Sequence, residues 1–137
     1  PPQGESFTEF YILSEDEEEE LVAANYPTEF TLGESQPVVV GIENHEGESV
    51  EYSVVVQLQE VETVDNETRV IQSEELDRFN SPVLPDGDSW DRRHDIQPTM
   101  TGEDLRVQYL LYRGEPPSEP TEENAYRDLH LWIDVES

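Results

Sequence analysis

The chain has 137 residues, a length that suits one domain able to bury a core without a disulfide or metal staple. It contains no cysteine, which excludes disulfides, thiolate zinc sites and a thiol nucleophile. Acidic residues number 34 against 7 basic ones, giving a formal net charge of -27; all the basic residues are arginine, and no basic stripe is present to meet nucleic-acid phosphates.

An acidic excess of this size repels itself in ordinary buffer. At molar salt the Debye length falls to ~3 Å and most of the repulsion disappears. The balance therefore points to a protein adapted to molar salt. The competing reading is a disordered acidic chain. Regular apolar runs among the acids argue against it. No apolar stretch is long enough to cross a bilayer as a helix. The chain opens at Pro1-Pro2 with no initiating methionine. Residues 1–137 are therefore expected to be a single domain excised from a longer protein.

In chain order, Phe7 to Leu13 is rich in aromatic and aliphatic residues and predicts a first strand. The acid run from Glu15 to Glu20 lies in a solvated loop, and Glu29 to Leu32 is a short strand closed by Gly33. Pro37 to Asn44 alternates, with Val38, Val40 and Ile42 on one face. After a turn at His45 to Ser49, the run from Val50 to Val61 sets Tyr52, Val54, Val56 and Leu58 against Ser53, Gln57 and Gln59. Positions 37–61 thus predict a hairpin. A turn at 64–68 precedes a weak strand at 69–73; 76–84 is ambiguous. Pro85 to Asp88 is a turn by composition, followed by a polar edge strand from Ser89 to Ile96. Leu105 to Arg113 is apolar on both faces, Gly114 to Asn124 is a long loop, and Leu129 to Val135 is the last strand. In that strand Leu129, Leu131, Ile133 and Val135 face inward and His130, Trp132 and Asp134 outward. Seven or eight short antiparallel strands with no amphipathic helix predict an all-β, immunoglobulin-like sandwich.

Several stretches carry a family resemblance: Phe7 to Leu13, Asn25 to Thr28, Leu32 to Glu34, Val40 to Glu46, Leu110 to Tyr112 and Tyr126 to Val135. Together, and most specifically through Asn44-His45-Glu46 and Leu129-His130-Leu131-Trp132, they resemble the archaeal domain-of-unknown-function family 1616. The resemblance implies an outer-facing, extracellular domain of a haloarchaeal membrane protein, preceded there by transmembrane helices that this chain lacks. It implies no catalytic residues. The acid run at 15–20 departs from the shorter, glycine-containing loop typical of that family.

Candidate sites are few. Asp86, Asp88 and Asp91 offer hard oxygen ligands suited to calcium. Their spacing misses the EF-hand pattern, and a plain turn explains Pro85-Asp86-Gly87 equally. Asn66-Glu67-Thr68 is a glycosylation sequon in a predicted surface turn. Tyr112, His130 and Trp132 are candidates for an outward aromatic interface, although coverage by the 114–124 loop or the first strand is the favoured reading, because Phe10 and Ile12 also need a partner surface. His45, His94 and His130 are read as separate, His94 as a surface residue. Carboxylate pairs are too abundant to signal a glycosidase, and no nucleophile, phosphate-loop or zincin motif occurs. The expectation is a non-catalytic module without a cofactor, contacting an envelope protein or a glycan. A calcium-binding adhesion-like domain is the alternative, and a carbohydrate-active enzyme the third reading.

Overall fold

The computed structural model describes residues 5–137, so the Pro1-Pro2 opening lies outside the described residues. Nine strands follow in order: β1 (Phe7–Glu15), β2 (Leu21–Val22), β3 (Glu29–Thr31), β4 (Gln36–His45), β5 (Val50–Val64), β6 (Glu67–Leu84), β7 (Ser89–Ile96), β8 (Gly102–Arg113) and β9 (Arg127–Glu136). One 3₁₀ turn, Glu122–Asn124, interrupts the β8–β9 connection. The strands form a four-stranded sheet, β2-β1-β4-β7, packed on a five-stranded sheet, β3-β9-β8-β5-β6. This is the immunoglobulin-like β-sandwich expected from the alternation. One pairing departs from it: β3 runs parallel to β9, with Phe30 opposite Val135.

The inward faces are the ones the alternation names. Val38, Val40 and Ile42 of β4 meet Tyr52, Val54, Val56 and Leu58 of β5, with Val107, Tyr109, Leu111 and Ile133 from the neighbouring strands, all buried. Removing these side chains from water is the main drive for closing the two sheets. No helix among the described residues is long and apolar enough to cross a membrane.

Three expectations need correction. Positions 37–61 are not a hairpin, because β4 and β5 lie in different sheets. Both strands turn an apolar face to the core, and the segment between them is a corner that crosses from one sheet to the other. Alternation is identical in a hairpin and in such a corner, so sequence adjacency misled. The second correction concerns 69–84, which is most of one 18-residue strand, β6. Its pairing with β5 shifts register three times, and each shift breaks the period of two that would have marked a strand. The acid run is largely exposed, as expected of a solvated loop, and it closes a β1–β2 hairpin. The Asp16 carboxylate accepts from the backbone N–H of Glu18 and of Glu20, both at 2.9 Å. The run is a turn with internal hydrogen bonds, and β2 is too short to be visible as a pattern.

The third correction is His94, which is buried rather than on the surface. Its Nδ1 lies 3.2 Å from the Tyr109 hydroxyl and its Nε2 3.5 Å from Asp77 Oδ2. It projects inward from β7 beneath the Phe79 ring. Burial pushes the imidazole below its ordinary pKa, against the pull of Asp77 and Asp95 and with the push of Arg92.

Asn44-His45-Glu46 builds the β4–β5 corner. The buried Asn44 side chain donates to the carbonyls of Glu48 and Leu84, both at 2.8 Å, and accepts from the Glu46 N–H at 2.8 Å. Its backbone pairs with Asp88 O at 2.9 Å and Gly87 N at 2.6 Å, tying this corner to the neighbouring β6–β7 corner. Glu46 then turns inward. One carboxylate oxygen accepts from Thr8 at 2.7 Å and from Tyr126 at 2.5 Å, and the other faces Arg113 Nη1 at 3.6 Å. Thr8 in turn contacts the buried Tyr52 hydroxyl at 2.7 Å. Burial alone would raise the Glu46 carboxyl. The hydrogen bonds from Tyr126 and Thr8, with the charges of Arg113 and Arg127, outweigh it and hold the carboxyl below its ordinary range.

Candidate functional site

The outer face of the five-stranded sheet is built from two cross-strand rows. Gln57 of β5 lies opposite Gln108 of β8, which lies opposite His130 of β9. Gln59, Arg106 and Trp132 form the next row in the same way. The amides and the guanidinium are linked: Arg106 Nε donates to Gln59 at 2.8 Å, Gln59 to Gln57 at 3.0 Å, and Gln57 to the Pro120 carbonyl at 3.0 Å. Gln108 donates to Asp128 at 3.1 Å, and its Oε1 is buried with no partner among the described residues.

The β8–β9 connection covers half of this face. Ser53 donates to the Gly114 carbonyl at 2.7 Å, and Tyr112 donates to Asn124 Oδ1 at 2.6 Å. Thr121 and Asn124 cap the 3₁₀ turn reciprocally. Beneath it Val55, Leu110 and Tyr112 form a second small core against Ala125. Tyr112 is therefore buried by the loop expected to cover it, which removes it from the candidate interface. Its ring anchors the loop, because an apolar outer-face residue on a central strand needs a cover.

The cover ends before β9. Trp132 remains 45% exposed, and the His130 ring stands edge-on to it with centroids 5.5 Å apart. Trp132 also borders a shallow hollow of about 350 Å³ lined by Val61, Thr63 and Asp104. The far end of the β5–β6 hairpin forms one wall, reaching past the last β5–β8 pair at Gln59–Arg106 to the turn after Val64. Asn66 sits at that turn with Asp65, at φ 65 and 54, the left-handed pair of a two-residue hairpin turn. The sequon is thus at an exposed tip.

The structure does not gather Asp86, Asp88 and Asp91 into one donor cluster among the described residues. Asp86 accepts from the Gly47 N–H at 2.9 Å, locking the two corners together, and Asp88 closes the turn onto the Pro85 carbonyl at 3.1 Å. Asp91 belongs to the other sheet's outer face, where it accepts from Tyr11 at 3.3 Å. Tyr11 and Asp91 flank Gly41 in the register, and the Tyr11 ring lies over it. Burial first, then Asp91, pushes the Tyr11 phenol up to about 12.

The same outer face brings His45, read as isolated from the other histidines, together with two carboxylates. Glu9, Glu43 and His45 each offer a ligand atom within 4.8 Å of the others. The signal lay in the alternation of β1 and β4: Glu9 and Phe7 are outward positions on one strand, Glu43 and His45 on the other. Only the register, which sets Glu9 opposite Glu43 and Phe7 opposite His45, brings them together.

Comparison with solved structures reports the fold. A β-glucosidase from Listeria innocua in complex with isofagomine aligns with 96% of this chain at TM-score 0.58 and 15% identity. The chain spans only 16% of that enzyme. The CARDB domain of a Pyrococcus furiosus protein, in complex with di-metal ions, aligns at TM-score 0.55 and 12% identity over 96% of this chain and 94% of its own. A β-glucosidase from Erythrobacter marinus gives TM-score 0.54 at 11% identity, over 95% of this chain and 15% of that one. No curated protein matches. The family model described as Domain of unknown function (DUF1616) matches residues 1–134, and the chain belongs to that family.

Proposed function

We propose that this domain is a non-catalytic interaction module of a haloarchaeal envelope protein, carried on the extracellular side by a membrane anchor elsewhere in the full protein. Its contact surface is the uncovered half of the five-stranded sheet's outer face, centred on Trp132. The observation that carries the reading is the state of that side chain: a tryptophan 45% exposed, braced by His130, whereas Tyr112, at the other end of the adjacent strand on the same face, is covered by a loop. Exposed aromatics braced by neighbours are typical of contact anchors, because the ring offers area at little cost in conformational entropy.

A flat ring beside a shallow hollow suits the C–H face of a sugar or an apolar ledge of another envelope protein. The acid-rich surface supports the salt-adapted setting, since its self-repulsion is relieved at molar ionic strength. The test is a fluorescence and NMR titration in molar KCl against an oligosaccharide panel, comparing the wild type with Trp132→Ala. Binding that perturbs β9 resonances and is lost in the variant supports the reading. Binding indifferent to Trp132→Ala, or hydrolysis of aryl glycosides that disappears when a carboxylate pair is substituted, refutes it.

A further inference from the structure

We infer that Glu9, Glu43 and His45 form a binding site for a divalent transition-metal ion on the outer face of β1 and β4. The site lies on the opposite sheet from Trp132, so it stands independently of the proposed contact surface. Its ligand atoms already lie within 4.8 Å of one another, and His45 Nε2 is 2.6 Å from Glu43 Oε1. A shared cation would replace that single contact with coordination by all three.

The facing charges within the cluster and the packing around its imidazole both favour a bound cation. Glu9 faces Glu43 directly across the strand pair, an arrangement of like charges that destabilises a sheet. A dication between them converts the repulsion into attraction. The imidazole is also held in place. The Phe7 ring stacks on it at 4.7 Å with an interplanar angle of 25°. The residues on either side of His45, Asn44 and Glu46, are buried and fully hydrogen-bonded into the corner. A site on such rigid backbone pays little ordering entropy on binding. His45 and Glu43 keep 33% and 35% of their side-chain surface open, enough for an ion to enter with water completing its shell.

The donor set names the ion class. One imidazole nitrogen with two carboxylates suits zinc and its first-row neighbours, whereas calcium and magnesium prefer oxygen ligands alone.

The test uses the 137-residue chain, stripped with chelator and held in molar KCl with excess magnesium to occupy diffuse acidic sites. Zinc is titrated by calorimetry and by melting temperature, and cobalt by its visible absorption. The expected result is one saturating site that raises the melting temperature, with about tenfold or greater weakening in His45→Gln and in Glu9→Gln. Glu9→Gln also relieves the facing charge, so the metal-free variant should melt no lower than wild type while losing the zinc response. That combination separates lost coordination from misfolding. A zinc response equal in wild type and His45→Gln, one abolished by magnesium, or no saturable heat at all overturns the inference.

Discussion

Replacing Glu46 by glutamine keeps the side chain's shape and removes its charge from a buried hydrogen-bonded group at the β4–β5 corner. In the wild type one oxygen accepts two hydroxyl bonds, at 2.7 Å from Thr8 and 2.5 Å from Tyr126. Hydrogen bonds to a charged group are worth ~1.5–3 kcal/mol and neutral ones ~0.5–1.5, so two bonds lose about 2 kcal/mol between them. The Arg113 contact adds little, because Arg113 is 39% exposed and its charge is screened by water. The total, about 2–3 kcal/mol, corresponds to a fall in melting temperature of ~10 °C for a chain of this size. The pH dependence carries the sharper test. The folded carboxyl titrates below its ordinary value of 4.5. Its contribution is therefore complete above about pH 4.5 and is lost as the pH falls through the depressed folded value. Melting curves followed by circular dichroism in molar KCl, on wild type and Glu46→Gln, should show the full gap at pH 7 and a closing gap in acid. Equal melting temperatures at pH 7, or a gap constant down to pH 2, would refute the account of Glu46 as a charge held by hydroxyls.

Three further outcomes follow from the same geometry. Trp132→Ala should cost under ~1 kcal/mol in denaturant melts, because the ring is half in water; a loss of the ~3–5 kcal/mol typical of buried aromatics would place it in a core instead. Gly41→Ala should destabilise by ~1–3 kcal/mol, since its Cβ would fall 2.0 Å from the Tyr11 ring, and the penalty should shrink when Tyr11→Ala is added; a double-mutant cycle showing simple additivity would contradict that contact. His94 has a folded pKa below its ordinary 6.5, so its contribution is present above about pH 6.5 and is lost as pH falls through the depressed folded value; urea midpoints of His94→Gln should lack this loss, and parallel pH profiles would count against the burial.

The sandwich was legible because its information is local. Alternation in 38–42, 52–58 and 129–135 names inward faces without reference to partners, and those faces form the core. Partnership between strands is not local. The β4–β5 corner reads as a hairpin because both adjoining strands alternate and a glycine lies between them. What distinguishes it is Asn44, whose side chain is spent on Leu84, far along the chain. Exposure and burial of the candidate residues turn on the same distinction. Outward placement of His130 and Trp132 follows from period two alone. The burial of Tyr112, equally outward by period, depends on where an eleven-residue loop (114–124) folds back, fixed by Asn124 and Thr121. Glu9, Glu43 and His45 are invisible until the β1–β4 register is known.

The division of labour along the family motif bears on where function sits. Asn44 and Glu46 point into the corner and Tyr126 reaches Glu46, so these elements of the resemblance describe how the domain is stapled. Their neighbour His45 points the other way, onto an open sheet face. The second motif divides in the same manner: Leu129 and Leu131 pack against the core, and His130 and Trp132 between them face out. In a strand this alternation is unavoidable, so a motif that looks continuous in sequence is two interleaved messages, one for packing and one for the surface. The packing half holds this chain's corner and core together. The surface half leaves an imidazole on each sheet's outer face, one beside two carboxylates and one beside an indole, and it is there that binding chemistry is available.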